Sequence, residues 1–216
     1  MPRTPRRRNI APPREDVLAA VMGTVAERGL DGLTMAGLGR EVGMSSGHLL
    51  YYFRTKDELL LQTLEWSEAR LGTERRALLA GPGTARERLD ACIALYVTDG
   101  HRDPHWTLRL EVWNRSQDAD DDARARARQA AIEDAWQGDL TELLTDGIAA
   151  GEFRTVGAGR TATRLRALMD GFSVHVTVGI PGTGRQQVLD QLRTYVDETL
   201  TPPGAGTPAA DVAPGF

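Results

Sequence analysis

Lysine is almost absent from this chain. Of 26 basic residues only Lys56 is a lysine, and the other 25 are arginine. Cysteine is as scarce: the single Cys92 allows no internal disulfide, which excludes the disulfide-stapled secreted class and fits a reducing cytosol. Long hydrophobic runs are missing too. The longest uncharged stretch, Gly171 to Gly184, has 14 residues and contains Pro181, whereas a bilayer-spanning helix needs about 20 apolar residues. Arg3, Arg6, Arg7 and Arg8 lead into Asn9-Ile10-Ala11-Pro12-Pro13 and not into an apolar core, so no secretory signal is expected. A cytoplasmic protein without membrane contact is expected.

Catalytic motifs are also lacking. The four histidines, His48, His101, His105 and His175, show no H-E-x-x-H spacing, and neither a P-loop nor G-x-S-x-G occurs. The acidic run Asp118, Asp120, Asp121, Asp122 has no EF-hand spacing for calcium. Acids ahead of Arg124, Arg126 and Arg128 stabilise a helix by themselves. No catalytic residue, metal or cofactor is expected. Strand alternation and internal repeats do not appear, so the fold class is all-α.

What is present is a helical pattern over 216 residues, with 41% apolar residues to build a core. The net charge is −4, but residues 1–60 carry +2 and residues 61–216 carry −6. That asymmetry suits a basic recognition region beside an acidic body. Residues 1–13 read as a flexible Arg-rich arm, which either follows phosphates and the minor groove or is a solvated tail.

The organising stretch is Thr34 to Leu60. Gly43 in Val42-Gly43-Met44-Ser45 supplies a left-handed residue to end one short helix, and Ser45 can cap the next. Thr55 and Glu58 form a Thr-x-x-Glu capping box for a long fourth helix, about Lys56 to Leu79, roughly 36 Å at 1.5 Å per residue. Short helix, glycine turn, short helix is a helix-turn-helix, whose second helix can enter the DNA major groove. Leu18, Val21, Met22 and Val25 form the buried stripe of helix 1. Leu49 and Phe53 anchor helix 3, and Leu60, Leu64, Ser67, Leu71 and Leu78 follow one face of helix 4.

Thr84 and Glu87 predict another capping box, opening helix 5 with an inner stripe of Leu89, Cys92, Ile93 and Tyr96. Helix 6 carries Trp106, Leu110 and Trp113 at helical spacing, and helix 7 runs through Trp136 to Gly151. Helix 8, about Gly159 to Ile180, has one apolar face of Leu165, Leu168, Met169, Phe172 and Val176. Its other side, Gly171, Ser173, Val174, Val178 and Gly179, is small and apolar too. A helix apolar nearly all round must be covered on both sides, which predicts pairing of the last two helices, about 159–200, with a second subunit. The division expected is arm 1–13, helix-turn-helix 14–56, helical body 57–200 and disordered tail 201–216.

Thr34, Leu38, Val42-Gly43-Met44-Ser45, Gly47, Leu49, Tyr52-Phe53, Lys56 and Leu59 resemble the DNA-binding domain of the TetR family of transcriptional repressors. The Ser45-x-Gly47-x-x-x-Tyr51-Tyr52-Phe53 version is most similar to the BetI-type branch. Gly39, where the family usually has alanine, and Leu50, where many members have tyrosine, depart from the pattern. In helix 2 glycine costs about 1 kcal/mol relative to alanine. The resemblance implies a homodimer that binds a palindromic operator in double-stranded DNA. A small-molecule effector in the body would shift the separation of the two recognition helices and release the DNA.

Carried over position by position, the resemblance places Ser46, Gly47, His48 and Tyr51 at base edges, and Thr34, Ser45, Tyr52 and Lys56 on phosphates. Tyr51 and Tyr52 could instead be core aromatics, but adjacent helical residues point about 100° apart, so at least one faces outward. Trp66, Tyr96, Trp106, Arg109, Trp113, Trp136, Met169, Phe172 and His175 lie on helices that line the family's cavity, with Glu111 a further polar anchor. Aromatics at helical spacing are more often core than ligand contacts, and His175, within an apolar run, reads as a satisfied core histidine before a ligand contact. Tryptophan faces favour an apolar or cationic ligand. The competing reading is a helical ligand-binding or interaction protein that does not bind DNA; an enzyme is the remaining alternative.

Overall fold

The computed structural model describes residues 13–115 and 123–203. The Arg-rich arm before Pro13, the acidic run Asp118 to Asp122 and the tail from residue 204 lie outside the described residues. Helix α1, Arg14–Arg28, follows Pro13, holds Glu15 and Asp16 in its first turn and stops at Gly29. It buries Val17, Leu18, Val21 and Val25, while Met22 is half-buried.

Helix α2, Met35–Glu41, begins where the Thr34 hydroxyl accepts the Gly37 N–H at 3.0 Å. Helix α3, Ser46–Phe53, begins where Ser45 accepts the His48 N–H at 3.1 Å and buries Leu49 and Phe53. The turn between them needs two glycines. Gly43 has φ +70°, a conformation that costs other residues more. A Cβ on Gly39 would lie 2.5 Å from the Met44 carbonyl oxygen. The Gly39 carbonyl itself accepts the Met44 N–H at 2.7 Å. Glycine at 39 therefore does more than weaken α2: it lets the turn fold back onto the helix.

Helix α4, Lys56–Leu79, starts at Thr55, whose hydroxyl accepts the Glu58 N–H at 3.0 Å. The expected capping box does not close. The Glu58 carboxylate turns away to take both of its oxygens to Arg128 Nη1, at 2.8 and 2.9 Å. An ion pair to another helix outcompetes the local return bond. Along α4 the stripe also differs from expectation: Leu71 and Leu78 are only half-buried, and Glu68, Gly72 and Arg75 take inner positions. Leu59, Leu60, Leu61 and Leu64 join the core of the first three helices.

Helix α5, Ala85–Tyr96, has the predicted reciprocal Thr84–Glu87 capping box, and Leu89, Cys92, Ile93 and Tyr96 are all buried. Burial pushes the Cys92 thiol up to about 11, leaving an inert packing group. Helix α6, Pro104–Arg115, departs from its predicted stripe. Trp106 is buried, but Leu108, Arg109 and Val112 are inside with it while Leu110 and Trp113 are half-buried. The cause is position: Leu108 and Val112 complete the N-terminal core, and Trp106 belongs to the body core.

Helices α7, Ala123–Ala149, α8, Ala158–Val178, and α9, Arg185–Leu200, complete the body. Leu165, Met169, Ser173 and Val176 of α8 and Val188, Leu189, Leu192 and Val196 of α9 face inward. On the opposite side of α8, Gly171, His175 and Val178 are exposed, as is Ile180 beyond it. Among the described residues no strand occurs, and no helix is long and apolar enough to cross a membrane.

Candidate functional site

At the N-terminal end, α3 is packed on one side only. Leu49 and Phe53 are buried, and Ser46, Gly47, His48, Tyr51 and Tyr52 are exposed. Tyr51 is 81% and Tyr52 52% exposed, so both tyrosines face outward and neither is core. The Tyr52 ring lies 5.1 Å from His48, one turn back, and edge-on to Tyr51 at 5.7 Å. The Thr34 and Ser45 hydroxyls are exposed at two helix starts; each accepts a backbone N–H and keeps its own hydrogen to donate. Lys56 is half-buried in the first turn of α4. Arg54 was not among the residues expected here. It adopts φ 61°, ψ −57°, and around it the Thr55 N–H donates to the Phe53 carbonyl at 2.6 Å. Such a positive-φ γ-turn is strained, and it fixes an exposed arginine between Tyr52 and Lys56.

The second constellation lies where α4, α5, α6, α7 and α8 meet. Four aromatic rings form a continuous edge-to-face series. Trp113 to Trp106 spans 6.2 Å, Trp106 to Tyr96 5.6 Å, and Tyr96 to Trp136 4.6 Å between centroids. The Arg109 guanidinium sits inside the bend, 5.1 Å from the Trp113 centroid, 5.4 Å from Trp106 and 5.5 Å from Tyr96. Arg75 stacks on Trp136 at 4.0 Å. These distances are within cation–π range.

Carboxylates surround the cage. Arg109 donates to Glu68 at 2.5 Å and to both oxygens of Glu133 at 2.8 and 2.9 Å. Trp136 donates its indole N–H to the other Glu68 oxygen at 2.9 Å, and Trp113 donates to Glu133 at 3.3 Å. Tyr96 donates its hydroxyl to Asp170, and Arg166 donates to Glu133. Burial foremost, with the Asp170 charge, raises the Tyr96 pKa, so the phenol stays protonated as donor. His105 Nε2 lies 3.1 Å from Glu68, and its Nδ1 is 2.8 Å from the Ser67 hydroxyl.

Of the expected pocket residues, Tyr96, Trp106, Arg109, Trp113 and Trp136 are therefore brought together, and buried Met169 joins the same core with half-buried Phe172 packed against it. Three are not. Trp66 packs on the N-terminal core beside Met22 and Arg70, because the outward turn of α4 carries it away from α5. His175 is exposed on α8 and is neither a core histidine nor part of the cage. Glu111 turns outward to pair with Arg115 at 2.6 Å. Glu68, Glu133, Arg166 and Asp170 were missed. For Glu68 a signal existed: it interrupts the stripe Leu61, Leu64, Gly72 with a charge at a core position.

A separate cleft of about 540 Å³ opens where α3 and α4 meet α6 and α7, lined by Tyr52, Thr55, Leu61, Val112, Arg115 and Arg128. Two of its arginines pair with acids, Arg115 with Asp57 and Arg128 with Glu58 and Glu65.

Glu68 makes the cage's pH dependence testable. Burial alone would raise its pKa, but the His105 hydrogen bond, the Arg109 charge and the Trp136 hydrogen bond together hold it below 4.5. A lowered carboxylate pKa adds stability that is present above the unfolded value and lost as pH falls through the folded one. Glu68→Gln is therefore expected to cost about 2 kcal/mol at neutral pH, with the difference from wild type shrinking below pH 4.5. Urea unfolding at pH 7 and at acid pH checks this; a pH-independent difference would show that the carboxylate charge is not stabilised.

Comparison with known proteins places both ends of the molecule. The sequence model of the family described as "Bacterial regulatory proteins, tetR family" matches residues 17–63. That of "BetI-type transcriptional repressor, C-terminal" matches residues 85–201, more than half of the chain. The HTH-type transcriptional regulator BetI of Brucella anthropi is 33% identical over 82 residues, covering 38% of this chain and 42% of that protein. CymR of Pseudomonas putida is 38% identical over 64 residues, 30% of this chain and 32% of its own length. The chain thus spans less than half of the curated relatives it matches. Among solved structures, a transcriptional regulator from Saccharomonospora viridis in complex with choline superposes with a TM-score of 0.78 at 26% identity, covering 88% of this chain and 97% of that one. Reduced Escherichia coli NemR shares the fold, with a TM-score of 0.69 at 21% identity over 88% of this chain and 98% of that one. The chain belongs to the TetR family of transcriptional regulators, with a C-terminal body of the BetI type.

Proposed function

We propose that this regulator is a cytoplasmic homodimeric repressor, bound to a palindromic operator through α3 and released by a small organic cation of the choline kind. The carrying observation is the outward display of His48, Tyr51 and Tyr52 on a helix capped by Ser45 and anchored only through Leu49 and Phe53. Ser46, Gly47, His48 and Tyr51 are assigned to base edges; Thr34, Ser45, Tyr52, Lys56 and Arg54 to phosphates. The exposed apolar groups Val178 and Ile180, with Gly171 on the outer face of α8, support pairing with a second copy through α8 and α9.

The effector is assigned to the cage of Tyr96, Trp106 and Trp113, with Trp136 behind it; the choline complex of the S. viridis relative and the aromatic faces support a cationic ligand. Glu68 belongs to α4, the helix that begins at Lys56 beside α3, so a ligand at the cage and DNA at α3 act on one lever. Fluorescence anisotropy with DNA from the protein's own promoter region tests the proposal. Binding is expected at low salt, to weaken steeply toward physiological salt, and to be reversed by choline. No binding at low salt would defeat the repressor assignment.

A further inference from the structure

We infer that Arg109 is the cage's resident cation, and that a monocationic effector binds by displacing its guanidinium from the three rings. The inference rests on the effector site proposed above and states what that site must exchange. The guanidinium is flanked by Trp113, Trp106 and Tyr96 at 5.1 to 5.5 Å, and Arg109 is 1% exposed. A desolvated position bounded by aromatic faces is what an organic cation requires, and the chain's own cation already holds it.

Charge defines the class of ligand that can take its place. Around the three rings that hold Arg109 stand the carboxylates of Glu68, Glu133 and Asp170 and the guanidiniums of Arg109 and Arg166. Arg75, on Trp136, is neutralised by Asp139, and His105 lies against Glu68. If Arg109 left unreplaced, buried Glu68 would lose its guanidinium partner, which is costly, and half-buried Glu133 would keep only Arg166. A neutral or anionic ligand cannot supply the missing charge. A monocation can, and the exchange leaves the local charge unchanged. The resident is also imperfectly held: among the described residues its buried Nε has no hydrogen-bond partner. An unmade bond lowers the cost of leaving. A quaternary ammonium carries no N–H and leaves no donor orphaned in the same position.

Calorimetric titration of tetramethylammonium and choline into the full chain tests this with two variants. Arg109→Met removes the competing charge at similar volume. Arg109→Met with Glu68→Gln also removes the carboxylate left short of a partner, guarding against a fold defect, and retains an acceptor for Trp136. Both variants are expected to bind the probes about tenfold more tightly than wild type, or better. Methylguanidinium should then compete with tetramethylammonium in the variants and far less in wild type. If wild type binds the probes in a Trp113-dependent manner but the folded variants bind equally or more weakly, Arg109 is a wall or anchor and the displacement idea falls alone. If neither wild type nor variants bind a quaternary ammonium, the cationic effector itself is wrong, and the inference falls with it.

Discussion

Truncating Tyr51 to alanine is expected to weaken operator binding about tenfold to hundredfold without lowering thermal stability. The two effects separate because the side chain is 81% exposed and its one ring contact is an edge-on approach to Tyr52. Little packing is lost, and alanine is the better helix former, by a few tenths of a kcal/mol. On the DNA side, a side chain that reaches base edges is worth about 1–3 kcal/mol, and each 1.4 kcal/mol is about tenfold in affinity. Two companions sort the roles. Lys56→Ala should reduce affinity for all operator variants alike and flatten the salt dependence, whereas His48→Ala should alter the preference among variants. Anisotropy over an operator panel, with melting curves for each protein, reads all three. Unchanged affinity in Tyr51→Ala would remove that residue from the interface.

The largest stability effect is expected at Trp136, in the body core and at one end of the aromatic series. Trp136→Ala should cost about 4 kcal/mol, since large aromatic truncations in a closed core cost roughly 3–5. Trp136 is 1% exposed, edge-to-face with Tyr96 and stacked against the Arg75 guanidinium. Its indole N–H also satisfies Glu68, so truncation leaves a cavity and a buried carboxylate short of one donor. A loss of this size is a large part of the 5–15 kcal/mol that typically separates folded from unfolded. Trp113, half-buried at the other end of the series, should cost much less when truncated while abolishing release by choline. Urea unfolding and anisotropy with and without choline distinguish the pair. A loss below about 1 kcal/mol at Trp136 would contradict its closed packing.

The head of the molecule was legible in the sequence because its signals are local. Thr34, Ser45 and Thr55 each bind a backbone N–H three residues ahead, and the Thr84–Glu87 box closes over the same interval. Such bonds depend on residues that are neighbours in the chain, so composition and spacing are enough to predict them. The stripe of α5 was legible too, since Leu89, Ile93 and Tyr96 all bury into one core, that of the body. Where a helix serves two neighbours, as α6 does with Leu108 and Trp106, periodicity marked a face but not which partner it meets.

From the sequence alone come the helical order, the helix-turn-helix with its outward α3, and the tryptophans and Arg109 as candidates for a ligand site. Only the tertiary structure decided which of them meet. Arg109 reaches Glu133 across 24 residues and Glu68 across 41; Trp136 reaches Glu68 across 68, and Tyr96 reaches Asp170 across 74. No local bond specifies those pairings, and the same packing that assembled them turned Trp66 and His175 away. The cage, its carboxylates and its resident guanidinium follow from which faces the helices bury against one another, a consequence of the packed core as a whole.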